Sequence, residues 1–172
     1  EVFVYSYYTG KEPDRAQQYI ASKVTAFRWW PDIGVAPAAE AIAADQLDML
    51  IELGGSTHMN KLEVMAYRPA PLQASWLGYP HSVRLSSIVY FVCDPYSRPA
   101  KPDYLIETPL EMPHSWLALG RAFFVDREIT PGLPCERKGF ITYGTANNPH
   151  KYSREVLRAW ARVVAATPGS QF

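Results

Sequence analysis

Short apolar runs alternate with helical patterns along the first third of the chain. A β-branched and aromatic run at 2–7, a short aromatic run at 27–30 and a near-continuous apolar run at 48–53 predict strands. Between these runs, apolar residues at helical spacing predict one helix that begins at Asp14 and another over residues 37–44. This order of strands and helices is typical of an α/β fold, in which crossover helices connect the strands of a parallel sheet.

The pattern continues with further strands and then changes. Asn60 is expected to cap a short helix over residues 61–67, and residues 72–77 and 88–93 predict two more strands. Prolines then crowd residues 95–134, which predicts a long, ordered, irregular connection with short strands, because proline interrupts helices and central strands. The large apolar side chains of this connection are expected to be buried: Tyr104, Leu105, Ile106, Trp116, Leu117, Phe123 and Phe124.

A second sheet is expected to begin near the end of the sequence. Residues 139–143 predict a strand, 144–152 a loop, and 153–166 a helix with Ser153 as its N-cap. The helix carries a predicted buried stripe of Val156, Leu157, Trp160, Val163 and Val164. Residues 170–172 are typical of the start of another strand, so we expect a piece of a longer protein. A stripe without a complete sheet to cover it favours self-association.

Composition excludes several classes of partner. The 172 residues carry 17 basic and 17 acidic side chains, and no basic stripe of the kind that nucleic-acid-binding proteins show. The two cysteines, Cys93 and Cys135, form neither a disulfide framework nor a zinc motif. No apolar run approaches the length of about 20 residues that a membrane span needs. We therefore expect a cytoplasmic protein without a nucleic-acid or membrane partner.

The loop at residues 144–152 is the first candidate site. It lies between a predicted strand and the N-terminus of a helix, where ligands of α/β sheets bind and where free N–H groups attract anions. Lys151 adds a positive charge to this position. The pattern suits a pyrophosphate, although an ordinary solvated lysine in a polar loop fits it as well.

The end of the third predicted strand is the second candidate site. Glu52 is followed by two glycines and then by Ser56, Thr57 and His58. Glu52 or His58 could orient or deprotonate an acceptor hydroxyl, so these two residues are the candidate catalytic residues. The alternative is a glycine turn followed by a polar helix cap.

His114, in a proline-fixed loop, is a third candidate with a structural histidine as its alternative. The spacing of the histidines matches no metal-ligand motif, so no metal site is expected: His58, His81, His114 and His150.

Residues 68–80 read RPAPLQASWLGYP. This string closely resembles the RPAP-x-Q-x-x-WLGYP signature of the O-GlcNAc transferase/SPINDLY family of protein O-glycosyltransferases. Two further segments resemble the family in the same order: MPHS at residues 112–115 and NNPHK at residues 147–151. The resemblance extends over essentially the whole chain.

The resemblance implies a GT-B fold, in which two Rossmann-like domains hold a UDP-sugar in the cleft between them. Residues 1–122 would be the later part of the first catalytic domain, 123–138 the interdomain connection, and 139–172 the start of the second, nucleotide-binding domain. The family's TPR repeats would lie outside this sequence. A fragment of this kind is expected to be inactive alone.

The resemblance also implies roles for particular residues. Lys151 would contact the donor pyrophosphate, with Asn147 and Asn148 shaping its loop. Glu52 stands where the family has an acid, but Ser56 stands where many members have a cleft histidine. His58 lies two residues later. Ser56, Thr57 and His114 are possible residues of the cleft.

The implied activity is metal-independent, inverting sugar transfer to Ser/Thr hydroxyls of a protein or peptide. UDP-GlcNAc is the first candidate donor, and no cofactor is expected. Two alternatives stay open. One is a protein O-fucosyltransferase that uses a GDP donor, and the other is a non-catalytic binding module on the same fold.

Overall fold

The computed structural model describes residues 1–10, 12–57, 60–118, 120 and 128–172. They fall into two compact units, Glu1–Leu119 and Gly120–Phe172. Whether these units correspond to parts of two catalytic domains stays a prediction.

The first unit is an α/β structure, as expected from the sequence. Its described strands and α-helices are, in chain order, β1 (Phe3–Ser6), α1 (Arg15–Ala21), β2 (Ala26–Trp29), α2 (Val35–Ala44), β3 (Met49–Glu52), β4 (Leu72–Ser75), β5 (Tyr90–Cys93) and β6 (Thr108–Glu111). The described residues also form 3-10 helices at Leu62–Tyr67 and Pro102–Tyr104. All strand pairs among the described residues are parallel, in a β1-β2 sheet and a β3-β4-β5-β6 sheet.

Helix α1 begins where the sequence predicts. The Asp14 carboxylate accepts the Gln17 N–H at 2.8 Å, and the Gln17 side chain accepts the Asp14 N–H at 3.0 Å. This reciprocal pair is a capping box, which satisfies two N–H groups that the first helical turn leaves free. The Gln17 amide also donates to the Ser6 hydroxyl, so the cap is joined to β1.

Asp45, directly after α2, binds residues of both β1 and β2. Its carboxylate accepts the Tyr5 hydroxyl at 2.7 Å and pairs with the guanidinium of Arg28. The Arg28 hydrogen bonds hold the pKa of Asp45 below its ordinary value. Burial first, and then the Asp45 carboxylate, raise the pKa of Tyr5. The two-stranded sheet is thereby fixed to the end of α2.

The core of the first unit lies between α2, β3 and the longer 3-10 helix. Its buried apolar side chains are Ala38, Ala39, Ile42, Leu50, Val64, Met65, Ala70 and Ile88. Two expectations for this unit are wrong. Asn60 does not cap the 3-10 helix, because its side-chain amide binds Glu52 and Gly55 instead. Tyr104, Ile106 and Leu117, which were expected to be buried, are more than half exposed. Phe123 and Phe124 lie outside the described residues, so their expected burial stays a prediction.

Over residues 128–172, the second unit contains less regular structure than expected. The helices described there are α3 (Pro134–Lys138), α4 (Arg154–Ala165) and the 3-10 turn Pro149–Lys151. The strand predicted at 139–143 is wrong in extent, because only a parallel bridge between Thr142 and Gln171 forms. Helix α3 falls within the predicted connection and was not expected.

Helix α4 is capped as predicted, since the Ser153 hydroxyl accepts the Val156 N–H at 3.3 Å. The apolar stripe of α4 was expected to be buried, but most of it is exposed. Trp160 packs between the rings of Tyr152 and Phe172, each at 5.0 Å. Val156, Leu157 and Val163 stay exposed. A single bridge is too narrow a surface to cover three turns of helix.

Candidate functional site

The ends of β3, β4, β5 and β6 share one edge of the four-stranded sheet, because all pairs in it are parallel. In open α/β sheets, ligands bind outside this carboxyl edge. Glu52 and Ser75 are the last residues of β3 and β4, and Asp94 directly follows β5. His114 follows β6 by three residues. We take this carboxyl edge as the candidate site.

Glu52 is buried and holds the turn that follows β3. One carboxylate oxygen accepts the N–H groups of Gly54 at 3.0 Å and Gly55 at 2.5 Å, and the Asn60 amide at 3.2 Å. The other oxygen accepts the Ser75 hydroxyl. Glu52 is only 7% exposed. In this geometry the carboxylate anchors a loop, and its predicted role in catalysis stays a prediction.

Ser56 and Thr57 follow in the same turn and are exposed. The Thr57 hydroxyl donates to the Gly54 carbonyl at 2.6 Å, which keeps its side chain within the turn. His58 lies outside the described residues, so its predicted role stays a prediction.

The turns after β3 and β4 are packed directly against each other. A Cβ atom on Gly78 would lie 1.9 Å from the Leu53 carbonyl oxygen, so only glycine fits there. Gly55 has φ of +52°, and a Cβ on it would lie 2.5 Å from the Tyr79 side chain. Leu77 has φ of +69°, a backbone conformation that residues other than glycine seldom adopt. These contacts fix the WLGYP segment against the Glu52 turn.

Asp94 connects the end of β5 to the segment after β6. Its carboxylate accepts the N–H groups of Tyr96 at 3.0 Å, Ser97 at 2.7 Å and Trp116 at 2.8 Å. Burial raises the pKa of Asp94, but the bonds from Trp116, Ser97 and Tyr96 outweigh burial and hold it below the ordinary value. The Trp76 indole N–H donates to the Trp116 carbonyl at 2.7 Å. The segment that contains His114 is therefore held at the carboxyl edge from two sides.

His114 is exposed at this edge. Three strand spacings of about 4.8 Å separate β3 from β6, so the strand ends next to Glu52 and His114 are about 14 Å apart. One small group could not touch both of these strand ends at once. The structure thus places both predicted residues on one edge without bringing them together.

Sequence reasoning missed three residues of the edge: Ser75, Asp94 and Trp116. Asp94 had a signal that could have identified it, because an aspartate directly after an apolar run and before a turn often accepts backbone N–H groups. The role of Ser75 had no local signal, since its partner Glu52 lies 23 residues away.

In the second unit, the predicted donor loop precedes α4, as expected. The Asn147 side chain accepts the Asn148 N–H at 2.9 Å, and the Asn148 side chain accepts the His150 N–H at 3.0 Å. Lys151 ends the 3-10 turn and is exposed. The asparagines shape the loop, while contact of Lys151 with a donor stays a prediction.

Within the part of the chain that the structure describes, no three acidic, histidine or cysteine side chains lie close enough to hold a metal ion. None of the described helices has both the length and the apolar character of a membrane span.

The parallel strands and the glycine turns at their carboxyl edge define an α/β protein of the Rossmann-like class. Comparison with known proteins narrows this class. The sequence profile of glycosyl transferase family 41 matches residues 1–120, which include the whole candidate edge. The chain belongs to glycosyl transferase family 41, which confirms the resemblance.

Two plant relatives show how far the similarity extends. The rice (Oryza sativa subsp. japonica) protein named probable UDP-N-acetylglucosamine–peptide N-acetylglucosaminyltransferase SPINDLY is 37% identical over 138 residues, 77% of this chain and 14% of the rice protein. The Arabidopsis thaliana protein SEC, with the same enzyme name, is 25% identical over 99% of this chain and 18% of its own length. The chain thus spans about a seventh of the length of the rice relative.

The fold is also similar to a solved structure. A mutant of the Thermobaculum terrenum O-GlcNAc transferase superposes with a TM-score of 0.78 at 24% identity, over 99% of this chain and 31% of that one. The expected α/β fold is confirmed, and it is close to that of a GT-B O-GlcNAc transferase.

Proposed function

We propose that this chain is part of the catalytic region of a protein O-glycosyltransferase. The sugar is N-acetylglucosamine from UDP-GlcNAc, and the acceptor is a Ser/Thr hydroxyl of a protein or peptide. The observation that carries the proposal is the family match through residues 1–120, which includes the Glu52 turn, the WLGYP segment and the Asp94 turn. The enzyme names of the plant relatives support the same donor and a peptide acceptor.

The proposed reaction is inverting and metal-independent. The acceptor hydroxyl attacks the anomeric carbon of the sugar, a C–O bond forms there, and the bond to the UDP oxygen breaks. The hydroxyl proton leaves to a base, for which Glu52 and His58 are the candidates, and UDP leaves with the bonding electron pair. In this proposal, residues 1–122 belong to the first catalytic domain, residues 123–138 connect the two domains, and residues 139–172 begin the second domain.

Lys151 is the proposed contact for the leaving diphosphate. A positive charge at this position stabilises the negative charge that develops on the diphosphate as the sugar departs. The exposed side chain of Lys151 and the bonds that shape its loop through Asn147 and Asn148 support this role.

The test is kinetic and uses the full-length natural protein. Lys151→Ala is expected to lower kcat/KM for UDP-GlcNAc by about 100-fold, the scale for one preorganised charge contact. Lys138→Ala is the matched control, because Lys138 is exposed in the same unit and stands over the Phe140 ring at 5.8 Å. Equal activity of the two variants would refute the role of Lys151.

Nucleotide preference separates the alternatives. A rise in Tm with UDP but not with GDP supports the proposed donor, and the reverse supports the fucosyltransferase. No response to either nucleotide, together with no transfer, supports a binding module. Self-association through the exposed face of α4 stays a prediction.

A further inference from the structure

Trp76, the residue directly after β4, binds elements on both sides of the candidate edge. Its backbone N–H donates to the carbonyl of Glu52, at the end of β3, at 3.0 Å. Its indole N–H donates to the carbonyl of Trp116, in the segment after β6, at 2.7 Å. Trp76 thus connects the turn after β3 to the segment that carries His114.

Both backbone polar groups of Trp116 are held. The N–H donates to the Asp94 carboxylate at 2.8 Å, and the C=O accepts the Trp76 indole. Asp94 is buried and also accepts N–H groups of the turn after β5. His114 lies two residues before Trp116, so these bonds restrict the backbone beside it. The exposed imidazole is therefore carried on a fixed part of the chain.

The chain makes a strained turn directly after Trp76. The Gly78 N–H donates to the Trp76 carbonyl at 2.9 Å, which closes a three-residue turn around Leu77. With φ of +69° at Leu77, this is the rarer and strained form of the γ-turn. Such conformations persist only where the surrounding structure determines them, and they cluster at functional sites. Here the bonds of Trp76 and the close packing of Gly78 against the Leu53 carbonyl hold the turn in place.

The two parts of the edge that Trp76 connects are far apart. The strand ends next to Glu52 and His114 are separated by about 14 Å. A reaction that uses groups on both parts requires this separation to be fixed, because a displacement of about 1 Å can lower a rate by about 100-fold. Two side-by-side turns cannot fix it alone, since β5 lies between β4 and β6. The indole of Trp76 reaches across that gap.

We propose that Trp76 is a positioning residue for sugar transfer. Through its two N–H groups it holds the turn after β3 and the segment 112–117 at a fixed separation. Trp76 acts through these two elements and not by contact with the reacting atoms. The proposal rests on the proposed function, because it assigns Trp76 a part in that reaction.

Steady-state kinetics of the full-length natural protein test the proposal. Trp76→Phe removes the indole N–H and keeps an aromatic ring. We expect kcat to fall by about 10-fold while KM for UDP-GlcNAc stays within about twofold, because the bound donor reaches the productive arrangement less often. Trp29→Phe is the matched control, since the Trp29 indole N–H also donates to a backbone carbonyl, that of Tyr8, at 2.7 Å. An equal kcat for the two variants would overturn the proposal.

Combination with Asp94→Asn shows whether Trp76 acts through the segment that contains Trp116. Asp94→Asn weakens the other bond to the same residue. If both bonds are needed to hold the segment, kcat of the double variant should stay within about twofold of the less active single variant. Losses in kcat that multiply would assign Trp76 a role independent of this segment and would overturn the proposal.

A replacement of nearly identical shape covers the case in which Trp76→Phe does not fold. Benzothienylalanine in place of Trp76 exchanges the indole N–H for a sulfur atom and keeps the size of the rings. We expect the Trp116 amide of this protein to exchange its hydrogen about 10-fold faster than in the unchanged protein, because its segment is released on one side. An unchanged exchange rate would refute the hold of Trp76 on the segment, whether or not transfer occurs. Absence of transfer from UDP-GlcNAc by the unchanged protein would instead refute the proposed function and, with it, the role of Trp76 in transfer.

Discussion

Removal of the Glu52 carboxylate tests whether this residue anchors the turn after β3 or takes part in catalysis. Its buried side chain accepts hydrogen bonds from Gly54, Gly55, Asn60 and Ser75. In Glu52→Ala, three N–H groups and the Ser75 hydroxyl lose their carboxylate partner. Each buried donor left unpaired costs about 1–3 kcal/mol. We expect Glu52→Ala to lower the free energy of unfolding by about 3–5 kcal/mol, since water can reach part of the turn.

Glu52→Gln keeps the shape of the side chain and removes its charge. A hydrogen bond to a charged group contributes about 1.5–3 kcal/mol and a neutral one about 0.5–1.5 kcal/mol, so three weakened bonds amount to about 3 kcal/mol. The lower cost of burying a neutral amide offsets part of this loss. The expected net loss is about 1–2 kcal/mol.

Thermal unfolding measures the stability of both variants, because the Tm of a chain of this size shifts by about 2–4 °C for each kcal/mol of unfolding free energy. Glu63→Gln is the matched control, because Glu63 is exposed on the neighbouring 3-10 helix and its change should stay within about 0.5 kcal/mol. If Glu52→Ala is no less stable than the control, the anchor role is refuted. If Glu52→Gln of the full-length protein keeps its Tm but loses transfer, the predicted catalytic role is supported instead.

Two further predictions concern the same edge. Gly78→Ala places a Cβ atom 1.9 Å from the Leu53 carbonyl and should lower stability by about 1–3 kcal/mol or more in thermal melts. Gly144→Ala, whose Cβ meets nothing within 4 Å, is the control, and equal Tm values for the two would contradict the packing of the turns. Lowering the pH should weaken the hydrogen bonds that the Asp94 carboxylate accepts, because the pKa of Asp94 in the folded chain lies below the ordinary 3.8. The stability that the ionised carboxylate contributes is present above pH 3.8 and is lost as the pH falls through the folded pKa. A plot of Tm against pH should therefore fall less steeply below pH 3.8 for Asp94→Asn than for the unchanged chain, and identical slopes would show that Asp94 contributes nothing.

Local sequence patterns determined the fold class and most elements. The apolar runs predicted β1, β3 and β5 to within two residues at each end, because the residue preferences of a strand are local and show within four to six positions. Ser153 predicted the start of α4, because an N-cap bond spans only three residues. The segment at 68–80 indicated the family, which the profile match confirms.

Only the tertiary structure decided what depends on distant parts of the chain. The anchoring role of Glu52 depends in part on Ser75, which strand pairing brings to it from 23 residues away. The exposure of the α4 stripe could not be predicted, since an amphipathic pattern shows that a helix can be buried but not that a partner is present. The hydrogen bond between the Trp76 indole and Trp116 likewise depends on strand order, which is set by crossover connections and by packing over the whole sheet rather than by residues near either tryptophan.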